Sequence, residues 1–407
     1  MRGSLFRFLT AGESHGKALA VIVEGMPAGV ELNEEDINQE LARRRLGFGR
    51  GPRMRFEKDE ISILSGVRFG RTLGSPIAVE IANTEWPKWE QEMSVAKGIS
   101  SKELTQPRPG HADLAGMQKY GFSDARDVLE RASARETAAR VVAGAIAKKL
   151  ISNIGIQIIS HVISIGSVMT AKDLGELKDK PKFKDLEKID ASEVRCFDPE
   201  LAEAMVAEIK AASKAGDSLG GSVEVIAYGV PVGLGSHVHY DRKLDGLLAQ
   251  AFMSIQAVKA VEIGMGSTLG SLRGSVAHDE IHWESSTKIY ARPTARAGGI
   301  EGGISAGGPI TAIVTMKPLA TLNRPSIKTV DVITKESKYS FKERTDVVAV
   351  PALGVVSETM MAIVLADVAL EKFGGDSLNE FTVNFKNYKK HLNSTPSSVE
   401  AIFGKKP

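Results

Sequence analysis

Short runs of alternating apolar and polar residues dominate the first eighty positions. Residues 5–9 and 18–24 read as strands on either side of the turn Gly12-Glu-Ser-His-Gly16, and Met26-Pro-Ala-Gly29 reads as another turn. Asn33 predicts a helix start. Glu34, Glu35 and Asp36 occupy its first turn, Ile37 and Leu41 share a face, and Arg43 to Arg45 close it, each charge suiting the helix end it meets. Residues 61–64 and 77–81 continue the strand pattern. Ser133 predicts the start of the clearest helix: Glu136 completes a Ser-x-x-Glu capping box, and Ala138, Val141, Val142, Ala145, Ile146 and Leu150 follow at helical spacing.

Further along, 156–165, 223–228 and 310–316 read as strands, and 201–212, 244–258 and the apolar stretch 354–373 as helices. Residues 172–190 are dense in Lys, Asp and Glu with no apolar period, which predicts a solvated insertion or lid. The stretch 386–407 is basic and polar and reads as a C-terminal tail. No repeat and no Pro-, Gly- or Ser-rich linker divides the rest, so residues 1–385 are expected to form one large domain. Strands arrive both in hairpin-like pairs and between helices, which favours an α+β class over a strict βαβ series.

Composition narrows the chemistry. In 407 residues, 52 Lys and Arg face 50 Asp and Glu, so any anion site must come from local clustering. The hydrophobic share of 43% and charged share of 25% exclude a disordered or fibrous chain. Cys196 is the one cysteine, which excludes an intrachain disulfide and a Cys-rich zinc site. Arg2 and Arg7 precede too few apolar residues for a signal-peptide core, and the apolar run 360–366 stops at Asp367, short of a membrane span. A cytoplasmic location is the expectation.

Glycines cluster at 47–51, 264–270 and 298–308, where backbone N–H groups could approach a phosphate or a planar ligand; plain turns between strands explain any one cluster equally well. The run 264–270 lacks the spacing of a dinucleotide fingerprint and no apolar helix follows it. Arg43, Arg44, Arg45, Arg50, Arg53 and Arg55 form one basic group, and Arg108, Arg126, Arg131 and Arg135 a second. The first also reads as a solvated helix end, the second as an ion-pair network with Asp124, Asp127 and Glu130. With few interleaved aromatics, a small polyanion is the better partner than nucleic acid. His15 and His111 sit in tight turns among small residues, placed to hold an imidazole against a ligand. His237 with His239, and His278 with His282, lack a third ligand at metal spacing. The first pair reads as an edge-strand pair, and no metal site is expected.

Five segments then carry a resemblance: Gly12-Glu-Ser-His-Gly16, Arg108-Pro-Gly-His-Ala-Asp113, Arg131-Ala-Ser-Ala-Arg-Glu-Thr137, Gly298-Gly-Ile-Glu-Gly-Gly-Ile-Ser305 and Arg344-Thr-Asp346. Their types and order resemble the motifs of chorismate synthases over nearly the whole chain. The resemblance implies an α+β fold, a single βαβ sandwich assembled as a homotetramer. It also implies a lyase of the shikimate pathway to aromatic amino acids: a 1,4-anti elimination of phosphate from 5-enolpyruvylshikimate 3-phosphate, giving chorismate. Reduced FMN is required without net redox change. The resemblance leaves open whether NADPH reduces the flavin at the protein itself or a separate flavin reductase supplies it; no nucleic-acid or membrane partner is expected.

By matching motif, the resemblance implies that Arg44, Arg50, Arg108, Arg135 and Arg344 clamp the substrate anions, with Ser14 and Ser133 donating beside them. His15 is implied to protonate or hydrogen-bond the leaving phosphate, His111 to protonate or stabilise the reduced flavin, and Asp346 to assist removal of the C6 proton. The flavin positions are Arg131, Ala132, Ser133, Gln256, Ala257, Gly302, Lys317, Pro318, Leu319, Ala320, Thr321 and Arg344. Gln256 stands where many members have Asn, and Thr345 where Ser or His is common. Two other readings share these clusters: an NADPH-dependent flavoprotein oxidoreductase, and a catalytically silent anion- or nucleotide-binding protein.

Overall fold

The structure, a computed structural model, describes residues 3–50, 59–170, 175–286, 289–340 and 345–392. Two antiparallel sheets enclose a layer of helices. The first contains β1 (Arg7–Ala11), β2 (Ala18–Glu24), β3 (Glu60–Ile63) and β4 (Ile77–Ala82), in the order β1-β2-β4-β3. The second contains β5 (Gln157–Ile165), β6 (Val168–Met169), β7 (Gly221–Tyr228), β8 (Val258–Ile263) and β9 (Ile310–Met316), in the order β8-β9-β7-β5-β6. Alternation sets the register: Leu19, Val21 and Val23 of β2 lie opposite Ile81, Val79 and Ile77 of β4, all buried. The mixed α+β sandwich expected from the sequence is what forms.

The helices used below are α1 (Glu34–Arg44), α2 (Asp113–Tyr120), α3 (Arg126–Ala132), α4 (Glu136–Ser152), α5 (Leu186–Ala191), α6 (Pro199–Ala215), α7 (Leu244–Met253), α8 (Val350–Phe373) and α9 (Leu378–Leu392). Helices α4 and α8 form the middle layer. They are apolar nearly all round because both flanks are covered. Gly144 lets them cross closely: a Cβ there would lie 2.1 Å from Cβ of Thr359. Helix α8 is also long and apolar enough to cross a membrane, which the apolar run 360–366 alone does not suggest; here it is buried inside the protein.

Several expectations change. Asn33 does cap α1, with a reciprocal bond from its own N–H to Asp36. Ser133, however, is the extended C-cap that follows α3, and α4 begins at Glu136 with Arg135 at its N-cap and no side-chain cap. The expected capping box fails because Glu136 instead accepts from Thr10, Arg140 and Gln256. The helix expected over 244–258 stops at Met253, and Ala257, at φ +67, turns the chain into β8. His237 and His239 lie in a loop, not on a strand, with His239 at the N-cap of a 3₁₀ turn and its Nδ1 2.9 Å from Asp241. Helix α9 carries through residue 386 to Leu392, its Phe381 against Phe373, so the expected tail boundary falls inside a helix; 393–407 lie outside the described residues.

The charged segment is not a solvated lid in its described part, 175–190. Ile189 of α5 is fully buried with Ile159 and Ile226 on the outer face of the second sheet, and Leu186, Phe197 and Tyr228 pack around them. Lys180 is buried in an ion pair with Glu224, which His161 Nε2 approaches at 3.1 Å. The seal is small but apolar.

On the inner side lies a buried charge network. Glu358, fully buried in α8, accepts two hydrogen bonds from Arg43 of α1 (2.7 and 2.9 Å). It also receives one each from Lys148 of α4 (2.7 Å), Ser160 of β5 (2.7 Å) and Arg195 (3.2 Å). Asp190 bonds both Arg43 (2.6 Å) and Arg195 (2.8 Å), and Glu40 bonds Arg43 and Lys148. Three cations thus meet three carboxylates. Burial pushes the Glu358 carboxyl up, but the charges of Arg43, Lys148 and Arg195 outweigh it and hold it well below the usual carboxylate range. A carboxyl depressed on folding stabilises the protein above its unfolded value of about 4.3, and that stability is lost as pH falls below it. Glu358→Gln leaves buried cations short of a partner and should cost about 3–5 kcal/mol at neutral pH in urea unfolding. Its acid limb should be shallower than the parent's. Equal stability of the two proteins at pH 7 would refute this account.

Candidate active site

The turn between β1 and β2 needs Gly12, at φ +107, where a Cβ would lie 2.4 Å from the Ala18 carbonyl oxygen. At its tip, Asn83 donates to the carbonyls of Ser14 (3.2 Å) and Gly16 (2.8 Å). Backbone N–H groups of Ser14 and His15 donate to Glu130 of α3, at 3.0 Å to its carbonyl and 2.8 Å to its carboxylate. His15 Nδ1 is 3.0 and 3.1 Å from the two carboxylate oxygens. An anionic Glu130 can only accept, so the His15 proton belongs on Nδ1 and Nε2 keeps a lone pair. Burial pushes Glu130 up, but the bond and charge of His15, with Arg126 at 3.0 Å, bring it below the usual range.

Arginines gather beside this turn. Arg44, buried, donates to Thr137 Oγ1 (3.0 Å) and the Ala134 carbonyl (3.2 Å) at the junction of α3 and α4. Ser133 at that junction donates to Ser14 Oγ at 3.2 Å. Arg50 pairs with Asp346 at 2.8 Å, and Arg135 lies 3.9 Å from Asp59. Burial pushes the Arg44 guanidinium down, to about 10; Asp59 resists, and the nearby charges of Arg50 and Arg135 add to the push. It still carries its charge at neutral pH. Ser14, His15, Ser133, Arg44, Arg50, Arg135 and Asp346 therefore form one cluster, and the solvated-helix-end reading fails for Arg43 and Arg44.

A second cluster surrounds His111. Asp113, fully buried at the start of α2, receives the His111 ring and also Arg108 through its backbone N–H (3.0 Å) and Nε (2.9 Å). Burial pushes Asp113 up, but these hydrogen bonds and the Arg108 charge hold it well below the usual range. Its carboxylate fixes the His111 proton on Nδ1, as Glu130 does for His15. Arg108 reaches Thr321 Oγ1 at 3.1 Å, so its guanidinium orients the His111 turn, and Lys317 Nζ donates to the Gly110 carbonyl.

The two clusters meet through the flavin-matched positions. Arg131, after which Ala132 ends α3, donates to Gly12 (3.2 Å) and Thr10 (2.9 and 2.7 Å). Thr10 and Gln256 both donate to Glu136, at 2.9 Å each, and Ala257, next in the chain, accepts from Lys317 N–H at 3.0 Å. Beyond Lys317 the chain runs through Pro318; Leu319 accepts from Ser218 at 2.8 Å, and Ala320 faces Gly110. Gln256 Oε1 is buried with no hydrogen-bond partner among the described residues. A ring N–H of an isoalloxazine would satisfy it, with Arg131 and Lys317 as cations nearby, so this set fits a flavin. Gly302 stands apart, in a hairpin held by the loop at 233–244. Arg344, Arg53 and Arg55 lie outside the described residues.

Sequence reading singled out the histidines but not what holds them. Asp113, two residues after His111, was within reach of a spacing argument. Glu130 appeared only as an ion-pair partner and Glu136 only as a capping-box residue, and Asn83 and Trp89 left no local signal because they meet the site only through the fold.

A family model described as chorismate synthase matches residues 6–370. Among curated relatives, chorismate synthase of Thermobifida fusca (strain YX) is 53% identical over 397 residues, covering 95% of this chain and 99% of the relative. That of Salinispora tropica is 55% identical over 393 residues, covering 94% and 98%. A crystal structure of chorismate synthase, 44% identical, superposes with a TM-score of 0.77 over 96% of this chain and 99% of that one. Likeness of this extent, with the site above, defines a carbon–oxygen lyase. The chain belongs to the chorismate synthase family.

Three convergent guanidiniums should bind a polyanion. Inorganic phosphate at ten times its dissociation constant should raise the melting temperature by about 1–2 °C, and Arg44→Ala should abolish most of that rise. An equal rise in both proteins would remove Arg44 from the anion site.

Proposed function

We propose that the protein converts 5-enolpyruvylshikimate 3-phosphate to chorismate and phosphate by 1,4-anti elimination, with reduced FMN bound. The observation that carries this reading is a repeated arrangement: each of His15 and His111 is held through Nδ1 by a buried carboxylate. In the reading, Arg44, Arg50 and Arg135 bind the substrate's phosphate and carboxylates, charge against charge, while Ser14 and Ser133 donate beside them. The C3–O bond breaks with its electron pair going to the phosphate; His15, its Nδ1–H held by Glu130, takes a proton from solvent on Nε2 and passes it to that oxygen. Asp346, shared with Arg50, receives the C6 proton, and the electrons of the C6–H bond become the new double bond. Asp113 keeps the His111 proton on Nδ1, leaving Nε2 to exchange a proton at the cofactor face.

The cofactor would be held by Arg131, Ala132, Ser133, Gln256, Ala257 and the run Lys317, Pro318, Leu319, Ala320 and Thr321, with Gly302 and Arg344 carried over from the family pattern. When bound, reduced FMN supplies electron density that eases departure of the allylic phosphate and takes it back, so nothing is oxidised overall. The same reading includes a cytoplasmic homotetramer of the shikimate pathway, its flavin reduced by NADPH or by a separate reductase.

The test is an anaerobic assay with chemically reduced FMN and the phosphorylated substrate, following phosphate and chorismate together. Equimolar products, absent with oxidised FMN, are expected; folded protein giving neither would overturn the reading. Oxidised FMN with NADPH in the same assay distinguishes a built-in reductase from an external one. His15→Ala and His111→Ala should each lower kcat by about 10²–10⁴-fold with melting temperatures near the parent's. Full activity in either would remove that histidine from the mechanism.

A further inference from the structure

Between β4 and Arg108 the chain makes one helical turn, Trp86–Trp89, in a segment that no motif marks. The half-buried Trp89 indole lies on the His15 imidazole, with ring centroids 4.1 Å apart and planes 34° from parallel. Arg126, which bonds Glu130 at 3.0 Å, also sits over the Trp89 ring at 4.9 Å, and Lys102 lies over it at 5.9 Å. Trp89 belongs to neither hydrophobic cluster among the described residues. Its described ring contacts are a histidine and two cations, which is not the surrounding of a tryptophan that fills a core.

Glu130 alone does not fix the imidazole. Hydrogen bonds at Nδ1 lie in the ring plane and leave the ring free to rock about the line from Nδ1 to the carboxylate, sweeping Nε2 through an arc. An aromatic face at 4.1 Å closes that arc on one side. Arg126 braces both supports at once, holding Glu130 at the ring's edge and lying on the indole at its face.

We propose that Trp89 is a positioning residue for His15, its indole forming a wall that holds the imidazole plane and so aims Nε2. The aim of Nε2 at the leaving phosphate rests on the function proposed above; the stacking does not. Proton transfer depends steeply on alignment, so loss of the wall lowers turnover while leaving the anion clamp, and hence substrate binding, in place.

Trp89→Leu removes the aromatic face and Trp89→Phe keeps it. In the ligand-free protein, the His15 ring-proton NMR signals, assigned by their loss in His15→Ala, should lie upfield from the indole ring current. They should move downfield in Trp89→Leu; unmoved signals mean that the stack does not form, and the inference falls. In the lyase assay, Trp89→Leu should lower kcat about tenfold with KM within about twofold of the parent, and Trp89→Phe should recover at least half the turnover. In a His15→Ala background, Trp89→Leu should change kcat by less than about twofold, because the residue through which it acts is gone. Parent-level kcat in Trp89→Leu, or the same tenfold cost without His15, would overturn the positioning role. A parent without lyase activity would instead sink the proposed function, with the NMR result still deciding the stack.

Discussion

The structure depends on a carboxylate in the middle of an apolar helix. Glu358 sits in α8 where both flanks are covered, and it is tolerable there only because Arg43, Lys148, Arg195 and Ser160 all donate to it. Each donor comes from a different part of the chain, so the charge acts as a register pin for the middle of the sandwich. Arg195 accepts a left-handed backbone, φ +55, to reach it. The pin also bears on chemistry. Arg43 points into the network and Arg44, one residue on, into the anion cluster, so the last turn of α1 joins the support to the site.

The two histidines show one solution used twice. A buried carboxylate takes Nδ1 and a guanidinium takes the same carboxylate: Glu130 with Arg126 for His15, Asp113 with Arg108 for His111. The arginine keeps the carboxylate ionised, and the carboxylate keeps the imidazole in one tautomer. Both imidazoles are therefore fixed in the protein itself, before any ligand arrives.

Much of the fold was legible because its signals are local. The strand patterns at β2 and β9 matched the observed elements residue for residue, and Asn33 capped α1 as its neighbours indicated. What could not be read was long-range. The Ser133 capping box has the right spacing, but Glu136 is recruited by Thr10 and Gln256, more than one hundred residues away in either direction. The segment up to residue 190 looks solvated because its charges outnumber its apolar residues; three isoleucines from separate segments suffice to seat it. The site divides the same way: motif residues carried the histidines and arginines, while Glu130 and Trp89 join them only in space.

The chain's ends impose an order on its biogenesis. Backbone N–H groups of Leu5 and Phe6 bond Asp367 of α8, 362 and 361 residues later, and Arg43 waits for Glu358 across 315. A nascent chain emerging from the ribosome therefore initially carries the first sheet and the cationic last turn of α1 with their apolar and charged faces uncovered. Helix α4 covers the first sheet and packs on α1 once residue 152 has been made, but the bonds of Leu5, Phe6 and Arg43 to α8 wait until residues 358 and 367 follow. A chain truncated before α8 would hold His15 and His111 without the helix that fills the middle of the sandwich.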